Sequence, residues 1–123
     1  MLFFIFLSGH TYSQKISKTL SIERIRLKNM AFCDCVTYAS LSSKDSVLIV
    51  NDGSAAGYFE LGNYSKEAYG LIDSLAKEYS KISYPSKEGR SLIFMKCLDF
   101  YNSKQLQNAI IKSDKYLLIN NKN

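Results

Sequence analysis

The chain has 123 residues, enough for one domain, and 46% of them are hydrophobic whereas 22% are charged. This balance favours a packed core over disorder. One proline and six glycines are too few for a fold with many tight β-turns. Lysine and arginine exceed aspartate and glutamate by 16 to 11, but they are spread along the chain. We therefore expect no nucleic-acid partner, because such proteins usually carry a clustered basic surface.

The first residues have the order of an export signal. Residues 2–7 are apolar, and small and polar residues 8–14 follow them, as in the hydrophobic and cleavage regions of a signal peptide. The run is too short to cross a bilayer, which takes roughly 20 apolar residues. We interpret residues 1–14 as a truncated signal peptide, cleaved near Ser13 and Gln14, and residues 15–123 as one exported domain without a stable membrane span. The alternative is a buried N-terminal strand or the start of a helix.

Helical periodicity predicts a first helix over residues 21–40, with an apolar face that includes Cys35. A second helix is expected over residues 46–61, after a start signal at residues 42–45. The small residues 53–57 within it favour close approach of a neighbouring helix. A phosphate-binding loop is excluded there, because the Lys-Ser/Thr pair of that motif is missing.

The second half of the chain continues this alternation of helices and polar breaks. Ser65 is expected to cap a third helix whose apolar spacing reaches residue 82, and a polar loop follows. A fourth helix is predicted over residues 91–101 and a short fifth one around residues 106–110, before a frayed tail at residues 115–123. The predicted apolar face of the fourth helix consists of Ile93, Phe94, Cys97, Leu98 and Tyr101. We therefore predict an all-α fold, a small antiparallel bundle of about four to five helices.

The sequence offers no apparatus for catalysis. The only histidine, His10, lies in the predicted leader, so a mature chain would lack a Ser-His or Cys-His pair. Several carboxylates remain, but no two are spaced as an acid–base pair, and each is interpreted as a cap, a surface charge or an ion-pair partner: Asp34, Asp45, Asp52, Glu60 and Asp99. We expect no enzyme activity, no catalytic residue, no metal site and no cofactor.

Three cysteines are present, and two of them are separated by a single residue. Cys33 and Cys35 point to nearly opposite sides of the first helix, and Cys35 lies on its apolar face, as Cys97 does on that of the fourth helix. In an oxidising compartment Cys35 and Cys97 could pair. Two buried free thiols are the alternative, since unpaired cysteine is often buried.

Three stretches of the sequence are similar to those of a known family. They are Ala31–Val36 (AFCDCV), Asp52–Ala56 (DGSAA), and the segment from Ser83–Lys87 (SYPSK) to Met95–Leu106 (MKCLDFYNSKQL). Together they resemble the type VI secretion amidase immunity proteins, partners of the fourth class of amidase effectors. The likeness covers about residues 27–107.

The resemblance implies an exported, periplasmic, all-helical homodimer. Such a protein binds and neutralises a peptidoglycan-cleaving cysteine amidase delivered by neighbouring cells; a helix of one subunit and a protruding loop of the other engage the enzyme. It also implies that Cys35 and Cys97 form a disulfide, whereas Cys33 has no counterpart in the family pattern.

The polar loop before the fourth helix is our choice for the effector-binding element, because its proline stiffens it and ordering before binding lowers the entropic cost. It consists of Tyr84, Pro85, Ser86, Lys87, Glu88, Gly89 and Arg90. The break at residues 62–64 is the competing loop. Two other functions remain open: a periplasmic bundle that binds a small apolar ligand, and an enzyme that uses carboxylates alone.

Overall fold

The computed structural model describes residues 6–41 and 51–118, with side chains from residue 18 onward. Within these residues the chain forms five packed helices and no strand, which confirms the predicted fold class. The helices are α1 (Phe6–Leu41), α2 (Ser54–Leu61), α3 (Lys66–Ser80), α4 (Ile93–Tyr101) and α5 (Lys104–Lys112), and a 3₁₀ turn (Ser113–Tyr116) follows α5. α1 begins at Phe6, well before the predicted residue 21, and from residue 10 to residue 40 it contains no proline or glycine.

The long helix α1 packs against each of the other four helices and most extensively against α3. Small side chains allow this close approach, since Ala31 and Ala39 of α1 and Ala68 and Ala76 of α3 are all buried. On α3 the buried residues recur every four positions, which places them in one row along the helix: Ala68, Ile72, Ala76 and Ser80. The apolar residues of this row pack against α1 and form the centre of the hydrophobic core.

α4 and α5 close the other side of the core. α4 contributes Cys97 and the fully buried ring of Phe100, and α5 contributes Leu106 and Ile110. The Ser103 hydroxyl caps α5 by accepting a hydrogen bond from the Leu106 N–H at 3.1 Å. Burial of a phenylalanine side chain such as that of Phe100 stabilises by about 1.5–3 kcal/mol.

The second helix differs from its prediction. It begins at Ser54, after a turn at residues 51–53, and none of its residues is buried. Residues 42–50, which include the predicted start signal, lie outside the described residues. The expected close approach of a neighbour at Gly53 and Gly57 is wrong, because a Cβ atom added at either position would meet nothing within 4 Å. The close approach occurs instead at Gly62, where a Cβ would collide with the Tyr69 hydroxyl.

The apolar face predicted for α4 is only partly right. Cys97 is buried, but Phe94 is 61% exposed and Leu98 is 50% exposed. The packed face is rotated toward Phe100, which the prediction left out. α4 is apolar around most of its circumference, so periodicity alone could not select the face that meets α1.

The predicted fraying of the tail is wrong for residues 115–118, which pack against the turn between α2 and α3. Leu117 forms an antiparallel bridge with Tyr64, and the Leu118 N–H donates to the Asn63 carbonyl at 2.7 Å. Asp114 forms a bidentate ion pair with Arg24 of α1. Residues 119–123 lie outside the described residues.

Candidate functional site

The loop of residues 84–90 connects the end of α3 to α4, and local hydrogen bonds close it. The Ser86 hydroxyl accepts from the backbone N–H groups of Glu88 and Arg90, each at 3.3 Å, and the Gly89 N–H donates to the Ser86 carbonyl at 3.2 Å. Gly89 has a φ of 68°, a left-handed conformation that glycine adopts at low cost. The tip of the loop is therefore a closed turn.

Tyr84 fixes the loop to α4. Its hydroxyl donates to the Asp99 carboxylate at 2.7 Å and lies 3.5 Å from the Tyr79 hydroxyl. These hydrogen bonds, with Tyr79 and then with Asp99, raise the pKa of Tyr84 above its ordinary value. The Lys96 ammonium lies 5.7 Å from the centre of the Tyr84 ring.

The rest of the loop projects into solvent. Pro85, Lys87, Glu88 and Gly89 are exposed, and Glu88 pairs with Arg90 at 3.1 Å while both side chains remain at least 70% exposed. An ion pair so exposed contributes only about 0–1 kcal/mol. These side chains are accordingly available to a partner, at little cost to the fold.

The break at residues 62–64, the competing loop, is held down by a buried acid that the sequence analysis missed. The Glu23 side chain is 2% exposed and accepts hydrogen bonds from the Asn63 N–H at 3.0 Å and the Asn63 amide at 2.8 Å. It also pairs with Arg26 at 2.7 Å. No sequence signal distinguishes Glu23 from a surface acid, because its partner Asn63 is 40 residues away.

The structure joins Cys35 of α1 to Cys97 of α4 in a disulfide, with 5.7 Å between their Cα atoms. Both residues are fully buried in the core. Cys33 is a free, half-buried thiol on another side of α1. Burial raises the pKa of the Cys33 thiol, so the reactive thiolate is scarce at neutral pH.

A second acidic feature lies between α1 and α3. Half-buried Asp34 lies near Asp73, which accepts a hydrogen bond from the Tyr38 hydroxyl at 2.6 Å. Burial, and then the Asp73 charge, raises the pKa of Asp34 to about 7. The hydrogen bond to Asp73 raises the pKa of Tyr38 to about 12.

We expect Asp34 to make stability depend on pH. Its folded pKa of about 7 exceeds the unfolded value of roughly 4, so between these values the folded state binds more protons. The free energy of unfolding then falls as the pH rises through this interval. Asp34→Asn, which mimics the protonated carboxyl, should remove this fall and stabilise by roughly 1–3 kcal/mol at pH 8. Urea denaturation at several pH values measures the effect, with exposed Glu60→Gln as control; an unchanged pH profile for Asp34→Asn would contradict it.

Exposed apolar side chains of α1 and α4 include Ile25, Phe94 and Leu98, each at least half exposed. Phe94 and Leu98 lie one helical turn apart on α4. Half-buried Tyr101 lies between the two helices, with its ring 6.2 Å from that of Phe32 and 4.0 Å from the Lys28 ammonium. We call these three exposed residues the α1–α4 strip.

The part of the chain that the structure describes has no group of three or more histidine, cysteine or acidic residues that could hold a metal ion. Over the same residues no helix combines the length and apolarity needed to cross a bilayer. The described clefts open to solvent and carry charged residues on their walls.

Comparison with known proteins places the chain in context. The model of the family described as Tai4, type VI secretion system (T6SS), amidase immunity protein, matches residues 25–110. The match includes α2, α3 and α4, the disulfide and the loop of residues 84–90. No curated protein matches the chain significantly.

Proposed function

Because the chain belongs to the Tai4 family of type VI secretion system amidase immunity proteins, we propose that it blocks its amidase effector by inserting the loop of residues 84–90 into the catalytic cleft. The chain is an immunity protein and not an enzyme. The amidase would be a cysteine enzyme that cleaves peptidoglycan. Inhibition would then result from steric exclusion of that substrate.

The observation that carries this proposal is that the loop is both exposed and ordered before binding. Its tip is closed by hydrogen bonds to Ser86, and its base is fixed by the bond from Tyr84 to Asp99. A loop that is already ordered loses less conformational entropy on binding. The turn at residues 62–64 is less suited to insertion, because Tyr64 is buried and Asn63 is held by Glu23.

We expect Lys87→Ala with Arg90→Ala to weaken inhibition by at least about tenfold, because truncated side chains in a desolvated interface typically cost more than 1 kcal/mol. Both side chains are exposed, so the unfolding midpoint should stay unchanged. Peptidoglycan hydrolysis is followed while the full chain is titrated against a matching amidase, and exposed Lys66→Ala with Lys112→Ala is the control. Full inhibition by the loop variant would exclude this loop as the inserting element.

The site of action that we propose is the periplasm, after export directed by residues 1–14. The disulfide between Cys35 and Cys97 supports this localisation, since disulfides persist in oxidising compartments and are rare in the cytosol. The substrate of the amidase, peptidoglycan, also lies in that compartment.

We also propose that two copies form a homodimer through the α1–α4 strip. Ile25, Phe94 and Leu98 are 54%, 61% and 50% exposed, Phe94 and Leu98 lie one turn apart on α4, and exposed apolar patches often mark interaction sites. We expect Phe94→Glu with Leu98→Glu to give a monomer in sedimentation equilibrium, because a dimer would bury both charges. Leu118→Glu, at another exposed apolar position, should leave the mass unchanged. A parent chain that sediments as a monomer would contradict the homodimer.

A further inference from the structure

A cleft of about 620 Å³ lies at the base of the loop, between α1, the end of α3 and the start of α4. Four of its lining residues are cationic: Lys77, Lys81, Arg90 and Lys96. None of the described residues on its wall is acidic. Tyr84 and Arg90, the two ends of the loop, line it as well, so the cleft continues directly into the element proposed to meet the amidase.

Two of the four cations of the cleft lie outside the ion pairs that the described residues form. In the described part of the chain, Lys77 and Lys96 form no ion pair. Their ammonium groups lie over aromatic rings instead, Lys77 at 5.9 Å from the centre of the Tyr38 ring and Lys96 at 5.7 Å from that of Tyr84. The nearby acids Asp73 and Asp99 accept hydrogen bonds from these two tyrosine hydroxyls.

The remaining two cations have partners that a competitor can displace. Lys81 pairs with Glu78 at 3.3 Å and Arg90 pairs with Glu88 at 3.1 Å, and all four side chains are more than 60% exposed. Ion pairs so exposed are screened by solvent and contribute little. Only Lys96 has an evident structural task, because its ammonium donates to the Ser80 carbonyl at the end of α3 at 2.9 Å.

We propose that this cleft is a second recognition site, which binds the carboxylate side chains of an acidic segment on the amidase. The proposal rests on the proposed function and names the chemistry of the partner surface beside the inserted loop. The volume suits a segment of several side chains better than one inorganic anion. Apolar Ile82 and Ile93 on the same wall can pack against the aliphatic parts of such a segment, and the cations would steer the encounter between the two proteins.

The test compares two charge-reversal variants of the full chain with the same change in net charge. Lys77→Glu with Lys81→Glu alters the cleft but spares Lys96, and Lys104→Glu with Lys112→Glu alters exposed positions on α5. We expect the cleft variant to bind the amidase at least about tenfold more weakly and with a smaller salt dependence, whereas the α5 variant changes the Kd less than about twofold. Equal Kd values for both variants and the parent overturn the site and leave the proposed function intact. A parent that binds no amidase overturns the proposed function, and this proposal with it.

A second measurement does not depend on the amidase. Hexaglutamate is titrated into the ¹⁵N-labelled full chain at millimolar concentration, and hexaglutamine and inorganic phosphate serve as comparison ligands. We expect shifts of the Lys77, Lys81 and Arg90 amides with hexaglutamate, weaker ones with phosphate and none with hexaglutamine. No shift with hexaglutamate, or tighter binding of single-stranded DNA at the same amides, would overturn the proposed specificity for carboxylates.

Discussion

Removal of the Cys35–Cys97 disulfide should lower the free energy of unfolding by about 4 kcal/mol in the chain-entropy model. The bond closes a segment with a sequence separation of 62 residues, and reduction frees this segment in the unfolded state. Both cysteines are fully buried, so a double Cys→Ala variant would also leave cavities in the core. Such a loss is a large part of the roughly 5–15 kcal/mol that stabilise an ordinary domain.

Urea denaturation of the oxidised protein, the reduced protein and the Cys35→Ala, Cys97→Ala variant measures this effect. Cys33→Ala is the matched control, because Cys33 is a free thiol of the same helix. The control should keep the midpoint of the oxidised parent. If thiol titration shows complete reduction and the midpoint does not move, the disulfide does not stabilise the fold.

We expect Glu23→Leu to destabilise by about 3 kcal/mol, since removal of one partner from a buried, hydrogen-bonded charge leaves the others unpaired. The variant would leave two donors of Asn63 without their acceptor and remove the ion pair of Arg26, which keeps only its hydrogen bond to the Leu61 carbonyl among the described contacts. Glu23→Gln keeps one side-chain oxygen and should cost less, about 1–2 kcal/mol. Thermal and urea unfolding give both values.

Glu78→Gln is the matched control for Glu23. Glu78 also forms an i,i+3 ion pair, with Lys81, but its side chain is 71% exposed. Its replacement should change stability by less than about 0.5 kcal/mol. Equal effects at Glu23 and Glu78 would show that the burial of Glu23 contributes nothing.

The sequence predicted those features that depend on local periodicity. α3 begins after Ser65 as expected, and Cys35 lies on a buried face of α1, because the apolar spacing along α3 and this part of α1 matches 3.6 residues per turn. The position of the loop at residues 84–90 was also predicted from local sequence, because Pro85 and Gly89 interrupt a helix. Its role at the amidase remains a prediction.

The features that escaped prediction depend on contacts between distant parts of the chain. Buried Glu23 accepts hydrogen bonds from Asn63, 40 residues away, and residues 117 and 118 pair with residues 64 and 63. Phe100, and not Phe94, lies in the core, where its ring packs against that of Tyr79 on α3 with 4.9 Å between the ring centres. The basic cleft, likewise, brings Lys77 and Lys96 together from separate helices.

The way in which α1 packs also bears on the export that we propose for this protein. α1 is synthesised before α3 and α4. Its core residues Leu27, Ala31 and Cys35 pack against these two later helices, whose synthesis ends at residue 101. The core cannot close before these helices have been synthesised, at roughly 5–20 residues per second. We therefore expect the growing chain to stay unfolded during most of its synthesis, the form in which a polypeptide can be threaded through a narrow translocation channel.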